Sequence, residues 1–414
     1  MTAPLGAHVV RGLRQAEWLT EQRVKAHART AALLFAIALV ALWMTATHGV
    51  DAFGRPVGAD FASFHAAGTL AHAGRAVEAY DWSALHAVER AMFGDDTPLY
   101  IWTYPPFALL PMSALAQLPY PWALALFLGA SFVALRLATR RLLPASPAAF
   151  WAFIGFPALW LNAAGGQNGF LSAAIVAAGM RLLPGQPVAA GAVLALLAFK
   201  PQLVMLVPLG LALGRQWRAL LGFFCSAVAL CALSIEVFGL APWIAQFEGM
   251  QASRQAILES GATGFHKLQS VLAAVRVLGG PSWLAWTLQG AAAAAALFAL
   301  AAAWRGPASN ALRTATLVTA SLVATPFLNV YDLVLLGLPI AVLASEGMSK
   351  GALPWERLLL LAAWLLPAVS TGLAEFLGLP LAPVVLLGVL WACHRRRPGA
   401  PALQGVSLKS GERA

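Results

Sequence analysis

The sequence predicts an all-α membrane protein whose chain crosses the bilayer many times. The 414 residues are 60% hydrophobic, with a mean hydropathy of +0.73. Only 11% of them are charged, against roughly 25% in ordinary soluble domains. Apolar stretches of 15 to 22 residues recur along the chain, and such stretches are long enough to cross a hydrocarbon core about 30 Å thick. These observations exclude a soluble enzyme.

Charged residues and helix breakers divide the chain into about eleven or twelve membrane spans. The Pro-broken stretch 104–120 is interpreted as an interfacial or re-entrant approach to one span, because a separate span there would invert every later loop. We expect spans near residues 30–47, 107–135, 148–162, 169–183, 187–199, 201–213, 219–238, 283–303, 312–327, 333–345, 357–373 and 376–392.

The distribution of charge predicts the orientation of these spans. With the N-terminus inside, the inner side holds 20 of the 27 basic residues and 5 of the 17 acidic ones. This bias predicts a bacterial inner-membrane protein with both termini in the cytoplasm, and it explains the net charge of +10 without a nucleic-acid partner. We expect a cytoplasmic segment 1–29, a transmembrane domain 30–392 with long outer loops at 48–103 and 239–282, and a cytoplasmic tail 393–414.

The first long outer loop contains a helical pattern. Phe61, Phe64, His65 and Gly68 follow the i, i+3, i+4, i+7 spacing of one helix face. Because this stretch follows a membrane span, the spacing predicts an amphipathic helix that lies on the membrane surface.

Asp60 directly precedes this pattern and has two interpretations. Its carboxylate either caps the helix that follows, by accepting backbone N–H bonds, or acts as a general base at the membrane surface. Both roles are compatible, because a capped carboxylate is oriented and ionised. Asp81, in Tyr80-Asp81-Trp82-Ser83, shows the same capping pattern without requiring a function.

Two further polar motifs lie on the outer side. Tyr104 follows Trp102 and precedes two prolines, which suits either an aromatic anchor at the interface or a site residue. Gln167 and Asn168, in Gly-Gly-Gln-Asn-Gly, suit either a tight turn or hydrogen bonding to the hydroxyl groups of a sugar.

Lys200 is the most unusual charge in the sequence. It lies between two apolar spans on the side that is poor in basic residues, where it either snorkels to the interface or belongs to a functional site. Its natural partner is a phosphate. His266 and Lys267 form a second basic pair on the same side, either in a solvated loop or in the same anion site. Asp332, after Tyr331, is either a cap or a site residue.

An acid, several cations, amides and aromatic side chains thus converge on the outer face, as a lipid-linked phosphate substrate would require. The sequence contains no His or Cys cluster with metal-ligand spacing, no Walker loop and no Gly-x-Ser-x-Gly motif. We therefore expect neither a metal nor a cofactor.

The motifs together resemble the polyprenol-phosphate-mannose-dependent mannosyltransferases, which are glycosyltransferases of family 87 with the GT-C fold. The resemblance spans roughly residues 55–340, and its specificity comes from the order and spacing of short motifs. These motifs are Asp60-Phe61 through Gly68-x-Leu70, Ala79-Tyr80-Asp81, Tyr104-Pro105-Pro106, Gly166-Gln167-Asn168, Lys200-Pro201, and His266-Lys267 with Ser270.

The resemblance implies a sugar donor on a polyprenyl phosphate at the outer leaflet, most often mannose, and an inverting displacement onto a lipid or glycan acceptor. It implies that Asp60 is the general base. Actinobacterial members carry a His pair where this chain has Tyr331-Asp332, which leaves the acceptor and the sugar open. The expected donor-phosphate residues are Lys200, His266 and Lys267, and the expected lining residues are His65, Tyr104, Gln167, Asn168, Tyr331 and Asp332.

Two other functions compete with a glycosyltransferase. A transporter or flippase of lipid-linked sugars would show two matching halves with broken helices near the midplane, and the sequence has no such repeat. A scaffold of an envelope-glycan complex would have no single essential polar residue.

Overall fold

The computed structural model describes residues 12–140, 142, 146–262 and 264–399. Within these ranges the chain is helical, and its extended pairings are isolated bridges. Seven helical segments among the described residues are long and apolar enough to span a membrane. The all-α polytopic class is therefore confirmed. The seven segments are Glu21–Met44, Tyr120–Thr139, Pro147–Ala164, Trp217–Phe238, Ser282–Arg305, Val330–Lys350 and Glu356–Leu377.

The α-helices are numbered here in chain order, and short 3₁₀ turns connect several of them. The first nine are α1 (Glu21–Met44), α2 (Phe61–His72), α3 (Trp82–Phe93), α4 (Leu109–Leu115), α5 (Tyr120–Thr139), α6 (Pro147–Ile154), α7 (Pro157–Ala164), α8 (Gly169–Leu182) and α9 (Pro187–Ala195). The others are α10 (Pro201–Val204), α11 (Leu206–Leu213), α12 (Trp217–Phe238), α13 (Ala241–Arg254), α14 (Val271–Val277), α15 (Ser282–Arg305), α16 (Asn310–Ala324), α17 (Gly337–Lys350), α18 (Glu356–Leu377) and α19 (Ala382–Arg395).

Each expected span corresponds to one or two of these helices, and prolines account for the breaks. The stretch 104–120 is a 3₁₀ turn, Pro106–Ala108, followed by the short helix α4, and α5 begins only at Tyr120. The break before α5 follows from Pro119 and from Pro121 near the helix start, where a proline fits without loss of a hydrogen bond.

Helix α2 forms as the spacing predicts, but the prediction that it is amphipathic, with one exposed face, is wrong. Ten of its twelve residues are buried, on all sides of the helix. The face opposite the aromatic residues consists mainly of alanines, whose small side chains allow other segments of the protein to pack closely against the helix. The phenylalanines pack into the protein, with Phe61 5.3 Å from Phe127 and Phe64 5.2 Å from Tyr104 between ring centroids.

Gly68 allows α2 to lie against α4. A Cβ at this position would overlap the backbone carbonyl of Met112, and a helix backbone cannot move aside as a flexible side chain can. We expect Gly68→Ala to lower the free energy of unfolding by about 1–3 kcal/mol, measured as a lower thermal midpoint in detergent. Gly129→Ala on α5 is the control, because no atom lies within 4 Å of its Cβ position. An equal midpoint for both variants would contradict this packing.

Hydrogen bonds hold two of the segments that connect the helices. Asp81 caps α3, as predicted, with its Oδ1 accepting hydrogen bonds from the N–H groups of Ser83 and Ala84. The chain before α14 pairs with the chain after α16, where the N–H of Gln269 donates to the carbonyl of Leu328 at 2.7 Å. The loops that carry the candidate site are thus fixed to the helical bundle.

Candidate active site

Two loops that are distant in sequence meet at Asp60. The backbone N–H of Asp60 donates to the carbonyl of Gly165 at 3.0 Å, and Nε2 of Gln167 donates to Oδ2 of Asp60 at 2.8 Å. Gly166 has a φ of +62°, and a Cβ there would lie 2.6 Å from the carbonyl oxygen of Gly58. Only glycine satisfies both the left-handed conformation and this close approach.

The capping role considered for Asp60 is wrong. The residue is at the N-cap of α2, but its side chain accepts no capping hydrogen bond. Its φ and ψ of −71° and −22° are helical, whereas a capping residue usually has extended angles that turn its side chain over the first amides. The carboxylate therefore points to Gln167 instead. Its Oδ1 accepts no hydrogen bond from the described residues, and Asp60 keeps part of its surface accessible to water.

The charge of Asp60 is set by opposing effects. Burial raises the pKa of the Asp60 carboxyl above its ordinary value, while the hydrogen bond from Gln167 and the charges of Lys200 and Lys267 lower it. Raised proton affinity is what a general base requires.

Tyr104 is half-buried, and its polar groups are bonded within the protein. Its hydroxyl oxygen accepts a hydrogen bond from Nδ2 of Asn168 at 2.8 Å, and its carbonyl accepts one from the Tyr80 hydroxyl at 2.9 Å. Burial raises the pKa of the Tyr104 hydroxyl, with the charge of Asp332 adding to the effect, so this phenol stays protonated. Oδ1 of Asn168 is buried and has no hydrogen-bond partner among the described residues.

Lys200 does not snorkel to the interface. Its side chain is 2% exposed and forms an ion pair with Asp332, which is 1% exposed. Oδ2 of Asp332 also accepts the N–H of Asn329 at 3.1 Å, so Asp332 both caps a turn and belongs to the cluster. Nζ of Lys200 lies 4.9 Å from the centre of the Tyr331 ring, where a cation is attracted to the aromatic face.

The second basic pair lies at the edge of this cluster. Lys267 is exposed, and its charge acts on Asp60. His266 is 27% exposed, with Nε2 3.9 Å from Oε1 of Glu375 on α18. This acidic neighbour is more than 100 residues away in the chain, so local sequence does not indicate it.

The structure does not bring His65 into the cluster. Its Nε2 lies 3.1 Å from the carbonyl oxygen of Leu118, and its ring packs against Tyr120 at 5.4 Å. Sequence reasoning also missed Tyr80 as a support of Tyr104, although Tyr80 lies in one of the recognised motifs.

The residues brought together are Asp60, Tyr104, Gln167, Asn168, Lys200, Tyr331 and Asp332, with Lys267 at the edge. This set combines two carboxylates, two cations, two amides and two phenols, which suits deprotonation of a hydroxyl beside an anion. In the described part of the chain, no three His, Cys, Asp or Glu side chains are grouped closely enough to hold a metal ion.

Comparison with known proteins identifies the family. No curated protein and no solved structure matches the chain. The family model of glycosyltransferase family 87 matches residues 102–326, which is more than half of the sequence. The matched range contains Tyr104, Gln167, Asn168, Lys200 and the 266–267 pair, while Asp60 precedes it and Asp332 follows it. The chain is therefore a membrane glycosyltransferase and belongs to glycosyltransferase family 87.

Proposed function

We propose that this enzyme transfers a hexose, mannose first among the candidates, from a polyprenyl phosphate to an acceptor hydroxyl in the bacterial cell envelope. The Asp60 end of the bundle faces the periplasm in this proposal, as the charge bias of the loops predicts. The observation that carries it is the Asp60 carboxylate, which is held through Oδ2 by Gln167 and open at Oδ1.

The proposed step is a single displacement with inversion. Oδ1 of Asp60 removes the proton from the acceptor hydroxyl as the oxygen attacks the anomeric carbon. The bond between that carbon and the donor phosphate oxygen breaks, and the electron pair leaves with the lipid phosphate. The raised pKa of Asp60 favours the proton transfer.

The lysines stabilise the departing phosphate in this proposal. Lys267 is exposed beside Asp60 and meets the incoming phosphate first. Lys200 is held in place by Asp332, so its ammonium group is positioned before the donor arrives and needs little reorganisation during the reaction. His266 stays a weaker candidate because a glutamate lies 3.9 Å from its ring.

Transfer by the purified enzyme tests the proposal. Protein in lipid nanodiscs would receive radiolabelled polyprenyl-phosphate-mannose, polyprenyl-phosphate-glucose or a nucleotide sugar, with envelope lipids as acceptors. Release of polyprenyl phosphate from the first two, with none from the nucleotide sugar, supports the donor class. Turnover of the nucleotide sugar alone would overturn it, and faster turnover of the glucose donor would overturn mannose.

Gln167→Leu is expected to change the pH dependence of this reaction. The hydrogen bond from Gln167 lowers the pKa of Asp60, so its loss raises that pKa further. Because the base must be deprotonated, the acid limb of kcat/KM moves to higher pH, and turnover above that limb falls by about tenfold through lost orientation. Gln117→Leu, at an exposed position, is the control. An unchanged acid limb would show that Gln167 does not act on the base.

A further inference from the structure

The segment that carries Tyr104 into the site is held by three side chains of the same outer loop. On α3, His86 Nε2 lies 2.8 Å from the carbonyl oxygen of Thr97, and Glu89 Oε2 accepts the N–H of Tyr100 at 3.1 Å. The Tyr80 hydroxyl donates to the carbonyl of Tyr104 at 2.9 Å. Residues 97–104 have no regular secondary structure of their own. These side-chain bonds therefore pair backbone groups that a helix or a sheet would otherwise pair.

Glu89 is the most unusual member of this set. It is 0% exposed, and its second oxygen, Oε1, is buried without a hydrogen-bond partner among the described residues. A buried carboxylate is ordinarily paired with a cation, yet none of the described basic groups forms an ion pair with Glu89. Among the described residues, its one hydrogen-bond donor is the backbone N–H of Tyr100.

The groups around Glu89 do not supply a compensating charge. On its own helix, the neighbouring Arg90 is paired with Asp95 at 3.1 Å. The titratable groups from other elements are two phenols, one nearby acid, and a half-buried acid and an exposed base beyond them. They are Tyr100, Tyr120 on α5, Asp60, Asp51 and Arg55.

We propose that Glu89 is a positioning residue, which as a neutral carboxyl group holds segment 97–104 so that Tyr104 reaches Asn168. The side chain contacts backbone and not the site itself, so its action passes through this segment. The importance of Glu89 for sugar transfer rests on the proposed function. Its stabilisation of segment 97–104 does not depend on that function.

The electrostatics agree with a neutral group. Burial raises the pKa of Glu89 to about 8, against the smaller lowering by the Tyr100 hydrogen bond. A solvated glutamate has a pKa near 4.3, so between these values the closed segment binds one more proton than the open one. Opening of the segment therefore becomes easier as pH rises towards about 8, by up to about tenfold per pH unit, and levels off above that value.

Amide hydrogen exchange of the peptide that covers residues 97–104 tests this, in the full protein and without any donor. At pH 7 we expect Glu89→Ala to raise the exchange rate about tenfold or more, because the Tyr100 N–H loses its acceptor. Glu89→Gln keeps that acceptor and releases no proton on opening, so it should exchange no faster than wild type. Glu78→Ala, which removes an exposed carboxylate of the same loop paired with Arg75, is the matched control. Wild-type protection in Glu89→Ala would overturn the proposal.

A pH series covers the case in which Glu89→Ala does not fold. After correction for intrinsic exchange, protection should fall from pH 6 to pH 8 in wild type and stay flat in Glu89→Gln. The same slope in both proteins would overturn the neutral-carboxyl role. Full sugar transfer by Glu89→Gln, with loss in Glu89→Ala, is the expected functional result, and full transfer by both would overturn positioning. Failure of wild type to use a polyprenyl-phosphate donor would refute the donor assignment. Amide hydrogen exchange would still show whether Glu89 holds segment 97–104.

Discussion

Asp60→Asn is expected to lower turnover by about 10²–10⁴-fold, the usual contribution of a general base. Asparagine keeps the shape of the side chain, and its carbonyl oxygen still accepts the hydrogen bond from Gln167, so the junction of the two loops remains. The amide nitrogen has no basic lone pair for the acceptor proton. The measurement is release of polyprenyl phosphate at saturating donor, with the thermal midpoint recorded on the same samples.

A matched control separates this loss from a general effect of removing negative charge. Asp95 lies between the same two membrane-spanning helices as Asp60, but its side chain is 89% exposed and pairs with Arg90. Asp95→Asn should keep wild-type turnover. Wild-type turnover in Asp60→Asn would exclude Asp60 as the base. A fall in its thermal midpoint comparable to that of Gly68→Ala would show a structural role instead.

Lys200→Met is expected to have the largest effect on stability. It leaves the Asp332 carboxylate buried without a counter-charge, which costs about 3–5 kcal/mol. The double variant Lys200→Met/Asp332→Asn removes both charges and keeps an acceptor for the N–H of Asn329. Replacing a buried ion pair completely is often neutral, so the double variant should recover most of the lost stability. The comparison is thermal unfolding of wild type, Lys200→Met, Asp332→Asn and the double variant.

The double variant also distinguishes two roles for Lys200. If the lysine stabilises the departing phosphate, the stable double variant should lose about 10²-fold or more in turnover. A stable double variant with wild-type turnover would show that the pair is structural and that Lys200 is not a phosphate ligand. Donor affinity, measured separately, would show whether the lost turnover comes from weaker donor binding or from a slower chemical step.

Most of the helices could be predicted from the sequence because each depends on local hydropathy. The break before α5 and the cap at Asp81 follow from neighbouring residues, since prolines and capping carboxylates act within one helical turn. The residue types of the candidate site could also be predicted, because its acid, lysines and amides occur in short motifs.

The pairings within the site were not predictable. Gln167 is 107 residues from Asp60, and Asp332 is 132 residues from Lys200, so no periodicity or spacing connects them. The burial of α2 depends on chain that packs around it, including α4 and α5, and local spacing does not reveal those neighbours. Helical angles at Asp60 turn the carboxylate away from its own helix, and local sequence does not fix those angles.

The ion pair between Lys200 and Asp332 has a consequence for the order of affinities along the reaction. With Asp60 and Lys267 included, the resting site carries no net charge. A polyprenyl phosphodiester brings one negative charge, and the released lipid phosphate carries up to two at neutral pH. On the proposed reaction, the two lysines therefore hold the spent carrier more tightly than the fresh donor. We therefore expect departure of the carrier, favoured by salt and by its dilution in the bilayer, to be the slow step of repeated turnover in that reaction.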